Sequence, residues 1–119
     1  MQDRNFKISH RKLQGILIVA PVGRLTLDES DGTLLAEVKT YVIDQGAKVI
    51  VDLSKVIYTD ASGISEISGA SSFVKKERGG ELKLVNITSK KTLDLIRMMK
   101  IEIPLCPDLG TAVQSFSLS

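Results

Sequence analysis

Residues 49–65 read VIVDLSKVIYTDASGIS, and the fold turns on how this run divides. Its first part, within KVIVDLSKV, is short, apolar and β-branched, the pattern of a strand covered on both faces. Its last part, DASGIS, has one acid, small residues and a glycine, and it opens a run with helical spacing. From Ser62 to Arg78 the residues Ile64, Ile67, Ser71 and Val74 fall on one stripe. Ser68, Gly69, Ala70 and Ser71 thin the middle of that helix, which lets a neighbouring element approach closely. A strand therefore hands over to a helix at a tight turn. The first turn of a helix carries unpaired N–H groups and a partial positive charge. Asp60 and Ser62 can each cap it, and Gly63 suits tight packing.

Upstream, GILIVAPVGRLT supplies another apolar run, Ile16, Leu17, Ile18, Val19, Ala20 and Val22, with Pro21 and Gly23 marking a bulge or departure at its end. Phe6–Lys12 is a weaker, mostly polar strand. Between these strands and the opening stretch, TLDESDGTLLAEVKTYVIDQGAK reads as a helix. Leu34, Leu35, Val38, Tyr41 and Val42 form its apolar face, Ser30 or Asp31 caps its start, and Gly46 ends it. Downstream, RGG at 78–80 makes a sharp stop and ELKLVNI is a further strand. TSKKTLDLIRMMKIE is a helix with Leu95, Ile96 and Met99 inward and Leu93 and Met98 at the edge. IPLC is a short last strand, and PDLGTAVQSF a short helix begun by Pro107 and Asp108. The order is ββαβαβαβα. It predicts a single α/β domain over residues 1–119, with its core at about 6–116. Its sheet is mixed and largely parallel, with about four to five strands and about four helices.

Composition removes several function classes. The net charge of +2 is too small to argue for nucleic acid or an anionic membrane, and aromatic residues at 4% leave little for base stacking. Cys106 is the only cysteine, so no intrachain disulfide and no Cys-rich zinc site is expected, and it reads as a small buried hydrophobe. His10, in SHRK, reads as an exposed surface histidine at a strand end. One His and one Cys leave too few groups for acid–base or nucleophilic chemistry, so no enzyme is expected. SFVK, Ser72–Lys75, has Ser-x-x-Lys spacing but no companion motif, and RGGELK lacks the spacing of phosphate-cradling loops. Met98 reads as the more exposed of the Met98–Met99 pair. The N-terminus lacks an apolar leader segment and GILIVAPV is too short to span a bilayer, so a cytoplasmic protein without membrane insertion is expected.

VDLSKVIYTDASGIS followed by a helix and GGELKLVNIT, with VGRLTLDES upstream, resembles the STAS domain of bacterial anti-sigma factor antagonists. The resemblance runs from Phe6 to Phe116, and its most specific part is the Asp-x-x-Gly turn at Asp60–Gly63. It implies a protein-binding switch. Members of the family bind an anti-sigma factor that is also a serine kinase. That kinase phosphorylates them on Ser or Thr, which breaks the complex, and a phosphatase reverses the step. It places partner contacts at Asp60, Ala61, Ser62 and Gly63, with Ser65, Glu66 and Gly69 on the exposed side of the helix, and implies no cofactor and no metal. The usual acceptor position directly after the Asp is here Ala61, which has no hydroxyl. Ser62 is the only nearby hydroxyl that could take a phosphate. A one-residue step on a helix re-aims a side chain by about 100°, so this turn is expected not to be phosphorylated. A constitutive binder and an engineered Ser-to-Ala form would read alike. Thr26 is a second departure, where many relatives carry Asp after Gly-x-Leu. The alternative reading is a non-switching structural STAS module in a signalling or membrane-transport assembly.

Overall fold

The computed structural model describes residues 6–117. The leader reading and the outer bounds of the 1–119 domain rest partly on residues outside that range. Ten elements follow one another: β1 (Lys7–Leu13), β2 (Ile16–Leu25), α1 (Thr33–Tyr41), β3 (Lys48–Asp52), β4 (Val56–Thr59), α2 (Ala61–Arg78), β5 (Glu81–Val85), α3 (Lys90–Met98), β6 (Leu105–Cys106) and α4 (Leu109–Ser117). β1 and β2 form a hairpin through Gln14 and Gly15, both at positive φ (54° and 79°), the geometry a two-residue hairpin turn demands. The six strands make one sheet in the order β1-β2-β3-β5-β6. β1 is antiparallel, the others are parallel, and β4 pairs with the far end of β2.

β4 is the strand the sequence reading did not separate. The chain leaves β3 at Asp52, whose carboxylate accepts the Ser54 N–H at 2.9 Å. It turns through a Val56 N–H to Leu53 carbonyl bond of 3.1 Å and resumes as a strand after three residues. So short an interruption leaves the apolar run unbroken to the eye. The departure expected near Pro21 and Gly23 is a change of neighbour: β2 pairs with β3 through Val19 and with β4 from Gly23 on, and a register shift interrupts the β2–β4 pairing between Gly23 and Arg24.

Two-residue alternation divides the strands between two cores. Leu17, Val19, Val49, Val51, Leu82 and Leu84 pack under α1, α2 and α3 against Leu34, Val38, Ile64, Ile67, Val74 and Ile96. Ile16, Ile18, Ile50 and Val85 face the other way, onto Ala112 and Phe116 of α4. The apolar runs are therefore covered on both faces along Ile16–Val19 and Val49–Val51, whereas Ala20 is only half-buried.

Several local expectations are corrected. α1 is capped neither by Ser30 nor by Asp31. It starts from Gly32 in the left-handed region, without a side-chain cap of its own. It ends at Tyr41, and Gly46 lies in the following turn, not at the helix end. Tyr41 is 42% exposed because it lies at the edge of the α1 face. On α2 the buried stripe runs Ile64, Ile67, Ala70, Val74, with Ser71 only half-buried, since Ala70 sits three residues from Ile67 and points at the sheet. His10 sits in mid-strand, where its Nδ1 lies 2.8 Å from Glu37 Oε2 and its ring meets Tyr41 at 3.8 Å. Cys106 is half-buried on the short β6. Met98 is 75% exposed, as the α3 pattern indicated. Gly79, at φ 59°, closes α2 in the left-handed conformation that favours glycine.

Candidate functional site

The turn after β4 is pinned from three sides. Asp60, in extended backbone, accepts the Gly63 N–H at 2.8 Å through Oδ1, which makes it the α2 cap that the residue types predicted. Its Oδ2 lies 3.4 Å from the Leu27 N–H, reaching back to the loop after β2. Thr59 donates its buried hydroxyl to the Leu25 carbonyl at 2.8 Å. Gly63 fits where no side chain could, because a Cβ there would overlap the Leu25 carbonyl oxygen and the Thr59 hydroxyl. These contacts join β2, β4 and the head of α2 into one rigid corner.

Ala61, Ser62 and Ser65 project from that corner into solvent, with Asp60 half-buried behind them. The Ser62 hydroxyl is exposed and has no hydrogen bond among the described residues; the cap belongs to Asp60 alone. Gly63 is buried, so it shapes the turn and offers no side chain to a partner. Glu66 departs from its expected place on the open face. It is half-buried, and its two carboxylate oxygens accept the Ser30 hydroxyl at 3.0 Å and the Leu35 N–H at 3.1 Å. Leu35 is the third residue of α1, so Glu66 supplies from α2 the cap that α1 lacks. Gly69, also half-buried, turns to α1, where a Cβ would come within 3.7 Å of Leu35 Cδ2. The expected set thus splits: Asp60, Ala61, Ser62 and Ser65 gather at the corner, while Glu66 and Gly69 face α1.

Thr26, the second departure from the family pattern, is buried and organises the β2–α1 loop. Its hydroxyl accepts the Glu29 N–H at 3.2 Å, and its carbonyl accepts the Ser30 N–H at 3.0 Å and the Ser30 hydroxyl at 2.7 Å. Residues that sequence reasoning missed border the corner. The Tyr58 ring lies between two cations, with Arg24 at 4.7 Å and Lys91 at 4.6 Å from its centroid. Leu27 and Ile57 are 63% and 73% exposed. VIYT, buried at Val56 and Thr59 and exposed at Ile57, shows no two-residue alternation, so the sequence carried no periodic signal for the outward Ile57. Among the described residues no three His, Cys, Asp or Glu side chains come together as metal ligands. No helix among them is long and apolar enough to cross a membrane.

The STAS domain family model matches residues 7–112. No curated protein sequence matches the chain. Several solved structures share its fold. An anti-sigma factor antagonist from Mycobacterium paratuberculosis aligns with a TM-score of 0.74 at 18% identity, over 96% of this chain and 96% of that one. A STAS domain protein from Planctomyces limnophilus aligns with a TM-score of 0.76 at 16% identity, over 94% of this chain and 97% of that one. The murine solute carrier 26 family member A9 anion transporter aligns with a TM-score of 0.71 at 20% identity, over 92% of this chain but only 19% of the transporter. With its family model covering nearly the whole sheet and the helices on it, this chain belongs to the STAS domain family.

Proposed function

We propose that the chain is an anti-sigma factor antagonist. It docks through the Asp60–Gly63 turn and the start of α2 onto an anti-sigma factor with serine kinase activity, in the bacterial cytoplasm. It acts as one domain over residues 1–119, with its core at about 6–116, and does no chemistry of its own. The observation that carries this reading is the rigid, solvent-facing pair Ala61–Ser62, held by the Asp60 cap and the glycine-only contact at Gly63. A corner already ordered loses little conformational freedom on binding, and small side chains there admit a close partner surface. Family membership and the fold shared with anti-sigma factor antagonists support the choice of partner.

In this reading regulation differs from the family pattern. Ala61 offers no oxygen for phosphoryl transfer, and Ser62, one helical step away, is aimed about 100° off the acceptor direction. The complex is therefore not broken by phosphorylation of the turn, and a phosphatase has no substrate there. Gel filtration of the protein mixed with each kinase-type anti-sigma factor from its own genome is the direct test. A co-eluting complex is expected with one of them. Failure with all of them overturns the reading.

One observation favours a second reading, a non-switching structural module. The same fold occurs as a small part of a large transporter. Stable association with a partner that is not a kinase, and no phosphate incorporated, would select it.

A further inference from the structure

Alternation along β2 puts Ile16, Ile18, Ala20 and Val22 on the face away from α1, α2 and α3. α4 covers Ile16 and Ile18. At nine residues it is only about 13 Å long, and Ala20 and Val22 remain half-exposed beyond it. Together with β1 and the β3–β4 turn they form a cleft of about 270 Å³. Its floor is Ile18, Ala20 and Val22, and its rim carries Arg11, Asp52 and Lys55.

Of the charges on this rim, Asp52 is fixed in place. Asp52 Oδ1 accepts the Ser54 N–H at 2.9 Å and the Asn86 amide at 3.0 Å, so the carboxylate cannot swing away. Burial pushes its pKa up, but the Asn86 and Ser54 hydrogen bonds and the Arg11 charge outweigh that and hold it below the ordinary 3.8. The carboxyl is therefore ionised at neutral pH. Arg11 acts on Asp52 through space, yet among the described residues neither Arg11 nor Lys55 closes an ion pair with it or with any other acid. Two open cations, one fixed anion and an apolar floor complement a zwitterion that carries a hydrocarbon side chain.

We propose that this cleft binds a small apolar α-amino acid, its carboxylate on Arg11 and Lys55, its ammonium on Asp52 and its side chain on Ala20 and Val22. The site lies on a different face from the helices flanking the docking corner and is independent of the partner reading. The test is an NMR titration of isotope-labelled protein with L-leucine, following the amides of Ala20, Val22 and Ser54. Saturable shifts are expected. N-acetyl-L-leucine, which lacks the ammonium, and L-leucinamide, which lacks the carboxylate, should each bind about tenfold or more weakly, the loss of one charge-assisted hydrogen bond. Arg11→Gln, at an exposed position on the edge strand, should lose as much without disturbing the fold. Asp52→Asn should do the same, and because Asp52 also holds the β3–β4 turn, Arg11→Gln decides if that variant unfolds. No saturable shift with leucine, equal response to the three compounds, or unchanged binding by Arg11→Gln overturns the proposal.

Discussion

At Gly63 a single added carbon has nowhere to go, because two of its nearest neighbours are backbone atoms of Leu25 and the third is a hydroxyl already bonded to that same carbonyl. Gly63→Ala should therefore cost stability at the upper end of the overpacking range, about 3 kcal/mol. Urea denaturation measures it, and an unchanged midpoint would contradict the packing. Ala61 is the opposite case, an exposed residue with free space around it. Ala61→Ser should leave stability within about 0.5 kcal/mol but create a hydroxyl at the position that the proposed function takes as the acceptor. On the proposed function, incubation with a kinase-type anti-sigma factor that binds the protein, together with ATP, should then add one phosphate at residue 61, while the unaltered protein gains none at Ser62. Mass spectrometry distinguishes the two, and efficient modification of Ser62 in the unaltered protein would refute the expectation. The corner was legible in the sequence because an N-cap depends on a few adjacent residues: an acid three positions before an N–H can be read without knowing what surrounds it. The tight fit at Gly63 was readable only as a suggestion, since the atoms that exclude a Cβ come from Leu25 as well as Thr59.

Elements meet through side chains that sequence spacing cannot assign. Glu66 was expected on the open face of α2, and by charge alone that is where an acid belongs. Its carboxylate instead completes the start of α1, across 31 residues of chain to Leu35 and 36 to Ser30. Glu66→Ala should cost about 1–2 kcal/mol, the loss of a cap together with an acceptor for a buried hydroxyl. It should also speed hydrogen exchange at the Leu35 amide, and Glu66→Gln should retain part of the stability. A partner-contact residue would instead lose binding with no change in stability, so denaturation and binding measured side by side separate the two roles. The mis-set start of α1 has the same origin. Ser30 and Asp31 are good caps by type, but Thr26 and Glu66 hold Ser30, and Gly32 takes the cap position. β4 escaped notice because the turn before it is made by an Asp side chain on its own backbone, with no glycine or proline to punctuate it.

Across the whole molecule, stability rests on two cores that share the strands of one sheet, and the smaller one depends on a single helix. Phe116 of α4 is buried against the sheet, and the Lys83 ammonium lies 4.2 Å from its ring centroid. Phe116→Ala should cost about 3 kcal/mol by cavity formation, with the α4 amides losing protection before those of α1, α2 and α3 in hydrogen exchange; uniform loss would argue against two separable cores. Acid should act through Asp52. Its carboxyl titrates below the ordinary 3.8 in the folded state, so its contribution is full above that value and fades as pH falls through the lower folded value. Denaturation midpoints of the unaltered protein and Asp52→Asn should differ by a constant amount down to about pH 4 and converge below it; a gap that widens in acid would reverse the sign. The alternation of buried strands and amphipathic helices, the capped turn at Asp60 and the missing hydroxyl at residue 61 follow from the amino-acid order, because periodicity and capping are set within a few residues of chain. That Glu66 and Gly69 turn to α1, that β2 exchanges β3 for β4 as its neighbour between Val19 and Gly23, and that α4 leaves Ala20 and Val22 half-exposed were settled by packing alone, because each depends on which distant segment arrives beside them.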